Sequence, residues 1–212
     1  MAGVVTDLAG LAAAVLARTG AGRLIVAIAG APGSGKSTLA EDLTARLNAG
    51  PTPLAMVLPM DGYHYDDLYL VPAGLRPRKG APQTFDVGGL YHTLQRLRAR
   101  DEAEVAVPVF DRKIEIARAG ARLIPADIPV IVVEGNWLLL NQPPWDRLHP
   151  LFDLTVLVEV PEPVLRARLR QRWEGFGLTE AEIIAKLEEN DLPNGRLVRD
   201  GSVTPGFRLA NG

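Results

Sequence analysis

The fold of this chain is decided by Gly30-Ala31-Pro32-Gly33-Ser34-Gly35-Lys36-Ser37, which is followed directly by Thr38. The stretch has the spacing G-x-x-x-x-G-K-[ST] of a phosphate-binding loop. Its glycines lack a Cβ, so the backbone can turn tightly and its N–H groups can surround an anion at a helix N-terminus. We expect all of these residues to hold a nucleoside triphosphate. Lys36 would reach the β- and γ-phosphates, and Ser37 would ligate Mg²⁺.

The flanking sequence favours this function over a chance glycine-rich turn. Residues 24–29 form an apolar run of strand length, as in a strand buried on both faces. Leu39, Leu43 and Leu47 recur every four residues, as on one face of a helix. We therefore predict a three-layer α/β sandwich of the P-loop NTPase type, with a mostly parallel central sheet and a small helical lid.

Composition excludes several classes of function. The 212 residues are enough for one domain, which we expect to span residues 1–212. A formal net charge of −2 gives no footprint for nucleic acid or for a membrane surface. The absence of cysteine excludes disulfides, thiolate zinc sites and cysteine nucleophiles, and it fits a reducing cytoplasm, where we expect the protein.

The first apolar segment does not resemble a signal peptide, because no basic region precedes it. A stripe of Val4, Leu8, Leu11 and Val15 instead predicts a docked N-terminal helix. No run of the sequence is long and apolar enough to cross a bilayer.

Periodic segments predict the remaining elements. The further predicted strands are residues 54–58, 105–110, 130–133 and 154–160. The further predicted helices begin after Asp86, at Glu162 and after Thr179, where Glu182 completes a capping box. A hairpin turn is expected at Ala119-Gly120. Residues 66–85 are expected to form a functional or disordered loop, and residues 190–212 an irregular tail with one short strand.

Two carboxylates follow predicted strands and are candidates for chemistry. Glu134 ends an apolar run, at the position where a Walker B acid binds Mg²⁺. Asp61 comes after the second strand and could be a general base that accepts the proton of a substrate hydroxyl. Its alternative role is a turn-forming Asp-Gly pair. The polar and aromatic neighbours Tyr63 and His64 favour the base.

Basic residues form two groups that could meet anions. Arg168 and Arg172 share one face of the predicted helix 162–173, where a mobile lid could bring them to the phosphates. The alternative is a solvated surface helix. Arg78 and Lys79 lie in the irregular loop, where they could meet an anionic group of the acceptor or remain solvated.

Together these segments resemble the superfamily of phosphoribulokinases, uridine kinases and bacterial pantothenate kinases, over residues 24–198. Besides the phosphate loop, the matching motifs are Met60-Asp61-Gly62-Tyr63, residues 78–86, Pro108-Val109-Phe110-Asp111-Arg112, Val133-Glu134-Gly135, Arg172-Trp173 and Asn190-Asp191-Leu192-Pro193. The sequence is most similar to the short bacterial branch described as fructose-transport kinases or nucleoside-kinase-like proteins.

The resemblance implies a role for each matching residue. Asp61 would be the base, Glu134 the Walker B acid, and Arg172, with Arg168, the lid arginine on the phosphates. The implied acceptor-binding residues are Asp61, Tyr63, His64, Arg78, Lys79, Arg112 and Asn190. Arg112 stands where pantothenate kinases have histidine, and their aromatic pantetheine pocket has no counterpart, which argues against pantothenate.

The sequence therefore predicts an ATP- and Mg²⁺-dependent kinase that phosphorylates a hydroxyl of a small metabolite, with a sugar such as fructose as the first choice. Pantothenate and a uridine-type nucleoside are the alternative acceptors. A regulatory P-loop NTPase switch is a further alternative, since Asp86-Val87-Gly88-Gly89 matches D-x-x-G, but no N-K-x-D motif accompanies it. We expect a lid at about residues 166–190 and no nucleic-acid or membrane partner. A homodimer is an open alternative.

Overall fold

The computed structural model describes residues 3–20 and 22–212. Within them, six parallel strands form a central sheet in the order β1-β8-β7-β2-β6-β3, and β4 and β5 form a separate antiparallel hairpin. The strands are β1 Val4–Val5, β2 Leu24–Gly30, β3 Ala55–Pro59, β4 Glu104–Asp111, β5 Ile116–Pro125, β6 Val130–Gly135, β7 Leu154–Glu159 and β8 Phe207–Ala210.

Helices connect these strands and cover both faces of the sheet, so the predicted three-layer α/β architecture is confirmed. The α-helices are α1 Leu8–Leu16, α2 Lys36–Leu47, α3 Asp67–Leu70, α4 Val87–Ala99, α5 Glu162–Gly175, α6 Glu180–Ala185 and α7 Leu192–Gly201. Short 3₁₀ helices lie at Met60–Tyr63, Arg76–Arg78, Pro82–Thr84 and Trp145–Leu151, and a π-helix joins α6 to α7 at Lys186–Asp191. No helix in the described part of the chain is long and apolar enough to span a membrane.

The two central strands are apolar because both of their faces are buried. Every residue of β2 and of β6 is buried. On one face, α1 and α2 pack their leucines against these strands, and on the other face α4 and the 3₁₀ helix at Trp145–Leu151 do so. This rigid centre fixes the strand ends at which polar residues follow.

Strand register brings the ends of three strands together. Ile28 of β2 pairs with Glu134 of β6, and Pro59 of β3 pairs with the same residue from the other side. The phosphate loop, Glu134 and Asp61 therefore leave the sheet at one edge, where ligands bind in open α/β sheets.

A buried arginine joins the opposite end of the sheet to its neighbours. The Arg23 side chain, 4% exposed, donates hydrogen bonds to the carbonyls of Ile128, Leu97, Pro125 and Ala126. It thereby satisfies backbone groups at the ends of α4 and β5, which would otherwise be costly to bury.

Three local expectations are wrong. Val4 lies in an edge strand paired with Phe207, not on the helical stripe. The hairpin turn lies at residues 112–115, and Gly120, with φ 62°, lies inside β5, opposite a register irregularity of β4. A glycine in a strand often marks such a bulge, so its signal was misread as a turn.

The third wrong expectation concerns the irregular tail, which contains a ten-residue helix, α7, besides the short strand β8. Pro193 lies in the first turn of this helix, where its missing N–H does no harm. The proline was therefore a helix-start signal. Residues 66–85 are also more ordered than expected. The indoles of Trp137 and Trp145 hold this loop through hydrogen bonds to Gly80 O and Pro82 O.

Helices α5, α6 and α7 pack at the same edge of the sheet as the phosphate loop. Asp191, at the end of the π-helix, is buried and accepts a 2.7 Å hydrogen bond from Trp173 Nε1 of α5. Burial raises the pKa of the Asp191 carboxyl, while Trp173, Arg172 and Lys186 act in the opposite direction.

Substitution of Gly62 by alanine tests the close packing behind Asp61. A Cβ at this position would lie 2.7 Å from Pro108 C and closer still to its carbonyl oxygen. Because backbone must move to accommodate it, we expect Gly62→Ala to lower the free energy of unfolding by about 1–3 kcal/mol in urea denaturation. Gly50→Ala is the control, since a Cβ added there would meet no atom within 4 Å beyond its chain neighbours. Equal stability of both variants and the unsubstituted protein would contradict this packing.

Substitution of Asp191 tests the cost of its burial. A raised folded-state pKa means that the protonated carboxyl contributes stability below the unfolded pKa, and that this contribution is lost as pH rises through the folded pKa. Asparagine at position 191 stays neutral. The free energy of unfolding of Asp191→Asn should therefore increase relative to that of the unsubstituted protein as pH rises above about 4, the ordinary pKa of an aspartate. Asp127→Asn, at an exposed position, is the control. A difference that does not change with pH would show that Asp191 is not destabilised by ionisation.

Candidate active site

The phosphate loop has the backbone geometry that the motif requires. Gly33 and Gly35 have φ values of 77° and 84°, which side chains with a Cβ rarely adopt. Gly35 is the N-cap of α2, so the first N–H groups of the helix face the loop. The loop is held from outside by Asn211, whose Nδ2 donates a 2.8 Å hydrogen bond to Ser34 O.

Lys36 lies partly buried at the centre of the site, near two carboxylates. Burial lowers the pKa of its ammonium group, and Glu134 and Asp61 act in the opposite direction. Burial likewise raises the pKa of Glu134, and Lys36 opposes that shift. Each charge is thus tolerated because the other is present, and the group as a whole can accept the phosphates of a nucleotide.

Ser37 and Glu134 form the candidate metal site. Ser37 Oγ donates a 3.0 Å hydrogen bond to Glu134 Oε2, so a hydroxyl and a carboxylate oxygen already face each other. Such hard oxygen donors, few in number and close to phosphates, suit Mg²⁺. Among the described residues no group of three or more His, Cys, Asp or Glu side chains could hold a metal.

A cavity of about 120 Å³ opens beside the loop, on the side of Lys36. Five predicted acceptor or catalytic residues besides Lys36 line it, namely Asp61, His64, Lys79, Arg112 and Asn190, together with the lid residue Arg172. The candidate base and the candidate phosphate ligands therefore border one space.

Asp61 is held in this cavity by Arg112. Arg112 Nη2 lies 2.6 Å from Asp61 Oδ2, and half of the arginine side chain is exposed. Burial acts to raise the pKa of Asp61, but the net shift is downward, because His64, Arg112, Lys36 and Arg172 favour its charged form. The carboxylate is therefore ionised and able to accept a hydrogen bond.

His64 presents one ring nitrogen to the cavity. Its Nδ1 lies 2.7 Å from the carbonyl oxygen of Asp61, and its ring packs against Phe85 and Phe110. Burial lowers the pKa of His64, so the ring is neutral and Nδ1 carries the hydrogen that the carbonyl accepts. Nε2 is then a hydrogen-bond acceptor.

Among the predicted acceptor and lid residues, three do not line this cavity. Tyr63 is buried in the core beneath it, where burial raises its pKa to about 12. The Arg78 guanidinium donates to Glu189 O and borders a separate cavity beside Gln83. Arg168 is half-buried on α5. The turn at residues 60–63 and the orientation of α5 determine these placements. Neither can be read from the sequence motifs.

Sequence reasoning missed several polar residues of the cavity, including Asn136, Asp191 and Asn194. Asn136 follows Gly135 directly, so its position after the Walker B acid was a usable signal. Its Oδ1 is buried without a hydrogen-bond partner in the part of the chain that the structure describes. Asn194 donates to Asn190 Oδ1 at 3.2 Å, a contact that depends on the unexpected helix α7.

Several known proteins similar to this chain are kinases by name. It is 34% identical over 194 residues to the Schizosaccharomyces pombe protein "Putative uridine kinase C227.14", covering 88% of this chain and 83% of that one. It is also 31% identical over 156 residues to the pantothenate kinase of Myxococcus xanthus. The aligned residues make up 70% of this chain and 47% of that one.

Solved structures share its fold. The "putative fructose transport system kinase" from Silicibacter sp. TM1040 has a TM-score of 0.88 and 41% identity, over 96% of this chain and 98% of that one. YFH7 from Saccharomyces cerevisiae, a "putative P-loop containing kinase with a circular permutation", has a TM-score of 0.83 at 19% identity, over 98% and 100%. No protein-family model matches the chain. The shared sequence and fold show that the chain belongs to the phosphoribulokinase, uridine kinase and pantothenate kinase superfamily of P-loop kinases.

Proposed function

We propose that this P-loop kinase transfers the γ-phosphate of ATP to a hydroxyl group of a small metabolite. The observation that carries the proposal is that Asp61 borders the same cavity as Lys36. A nucleotide switch needs only to position a water molecule, whereas this cavity offers a base and several hydrogen-bonding side chains to an organic acceptor.

We assign the nucleoside part of ATP to a second cavity beside the phosphate loop. This cavity has a volume of about 260 Å³, and its lining includes Gly35, Thr38, Asp42 and Asn211. Since Lys36 reaches the terminal phosphates, the phosphate chain would run from this second cavity toward the acceptor cavity. The γ-phosphorus would then face Asp61.

Asp61 would act as general base. Its carboxylate would accept the hydrogen of the acceptor hydroxyl as the oxygen attacks in line, and Lys36 would stabilise charge on the transferring group. Mg²⁺ bound by Ser37 and Glu134 would neutralise charge on the β- and γ-phosphates. His64 Nε2 and Asn136 Oδ1 are two acceptors that could orient further hydroxyl groups of the substrate.

A lid is proposed for residues 166–190, as the sequence indicated. Ion pairs and the hydrogen bond from Trp173 to Asp191 join α5, α6 and the π-helix into one unit. This unit contacts the loop of residues 66–85, since Asn190 Nδ2 donates a 3.1 Å hydrogen bond to Lys79 O. Movement of this unit relative to the sheet would bring Arg172 onto the phosphates and exclude water.

The acceptor is proposed to be sugar-like. The name of the Silicibacter structure supports a sugar such as fructose, and the names of other relatives support a uridine-type nucleoside or pantothenate as alternatives. The neutral His64 ring and the amides of Asn136, Asn190 and Asn194 suit a ligand with several hydroxyl groups.

Asp61→Asn separates catalysis from binding. We expect nucleotide affinity to be retained and phosphoryl transfer to fall by about 10²-fold or more, because the amide cannot accept the proton. Nucleotide affinity is measured by calorimetry with a non-hydrolysable analogue, and transfer by ADP formation over a panel of sugars, pantothenate and uridine. Asp66→Asn is the matched control, since Asp66 only caps α3 and asparagine caps equally well. Weakened nucleotide binding with a near-normal rate would show that Asp61 is a metal or structural residue.

A further inference from the structure

Among the described cationic side chains that line the acceptor cavity, Arg112 is the one whose ion pair is with the candidate base. Two of the other cations pair with carboxylates away from the base. Arg76 and Lys79 both pair with Asp67, at 2.6 and 2.7 Å, and Arg76 also pairs with Glu115. Within the described residues the ion pair of Arg112 is with Asp61 alone.

Three further cations line the cavity on its nucleotide and lid sides. Lys36 belongs to the phosphate loop, and Arg172 is the proposed lid arginine. Lys186 lies over the ring of Trp173, 5.4 Å from its centroid, on the lid. Arg112 therefore remains as the cation placed next to the base, on the side where the acceptor would enter.

The hairpin tip that carries Arg112 is fastened in place. Lys79 Nζ donates a 2.7 Å hydrogen bond to Glu115 O, and the Glu115 carboxylate pairs with Arg76 at 2.7 Å. Arg118 pairs with Asp111 at 2.9 Å across the hairpin. Because these contacts hold both sides of the turn, the guanidinium group stays within reach of the cavity when it leaves Asp61.

The pairing with Arg112 opposes the proposed role of Asp61. A carboxylate bound to a guanidinium group is a weaker base and has one oxygen fewer for the hydroxyl. Catalysis is favoured if another anion takes the guanidinium group when the acceptor binds. A planar guanidinium matches carboxylate and phosphate groups through two parallel hydrogen bonds.

We propose that the acceptor carries an anionic group, a carboxylate or a phosphate monoester, which binds Arg112 and releases Asp61 to its hydroxyl. This inference rests on the proposed kinase function and narrows its substrate class. The substrate would be a polyhydroxy acid or a sugar phosphate rather than a free sugar. Asp61 would be released from Arg112 only when such a substrate is bound.

The test compares acceptors in which an anionic group takes the place of a neutral one. The matched pairs are gluconate with glucitol, glycerate with glycerol, pantothenate with panthenol, and fructose 6-phosphate with fructose. Binding of each compound is measured by calorimetry in the presence of Mg²⁺ and a non-hydrolysable ATP analogue. The first three pairs report on a carboxylate and the fourth on a phosphate ester. The proposed function is assayed separately, by ADP formation, so its failure is not confused with a failure of the charge preference.

We expect an anionic member to bind about tenfold or more tightly than its neutral partner, and Arg112→Gln to abolish that difference. Lys113→Gln is the matched control, because it removes an exposed cation from the same hairpin turn outside the cavity and leaves the contacts that hold the turn intact. Equal or tighter binding of the neutral members would overturn the proposal. A charge preference that survives in Arg112→Gln, or a loss confined to the affinity for the ATP analogue, would overturn it as well, the latter by assigning Arg112 to the γ-phosphate.

Discussion

The structure of this site depends on one partly buried cation, the ammonium group of Lys36. A charge taken out of water is costly unless charged partners lie near it, and here Glu134 and Asp61 are those partners. They come from two different strand ends, so their approach requires the register in which β6 lies between β2 and β3. The apolar sheet and the polar site are thus two consequences of the same strand pairing.

Two segments carry cations to this centre. Arg172 lies on α5, in the segment that we propose as a lid, and it lines the cavity. The β4–β5 hairpin carries Arg112 to Asp61. The π-helix and the hairpin both contact Lys79, in the loop of residues 66–85. Asn190 Nδ2 donates to Lys79 O, and Lys79 Nζ donates to Glu115 O. This loop therefore joins the two segments, and binding of an acceptor against it would affect both.

Sequence alone was sufficient wherever a local pattern determines local geometry. The phosphate loop, the Walker B position of Glu134, the N-cap at Asp86 and the Thr179 capping box are confirmed as local structures. Each depends on residues a few positions apart in the chain. Their roles in binding and catalysis remain predictions.

Contacts between distant segments could not be predicted in this way. The pair of Arg112 and Asp61 joins residues 51 positions apart, and the hydrogen bond from Trp173 to Asp191 joins residues 18 positions apart. The hairpin turn was misplaced because glycine marks bulges as well as turns. Motif letters also do not tell which side chains point into a cavity, which is why Tyr63 was assigned to the acceptor although it lies in the core.

The central claim is that the γ-phosphate passes to an organic hydroxyl and not to water. The most direct measurement follows the γ-phosphate of radiolabelled ATP when the enzyme is incubated with a fractionated extract of small metabolites. We expect label to appear in an acid-stable phosphate monoester. This product should form only when the enzyme and a fraction that contains the acceptor are combined. Label found solely as inorganic phosphate, at a rate that no fraction changes, would contradict the account and indicate a nucleotide hydrolase.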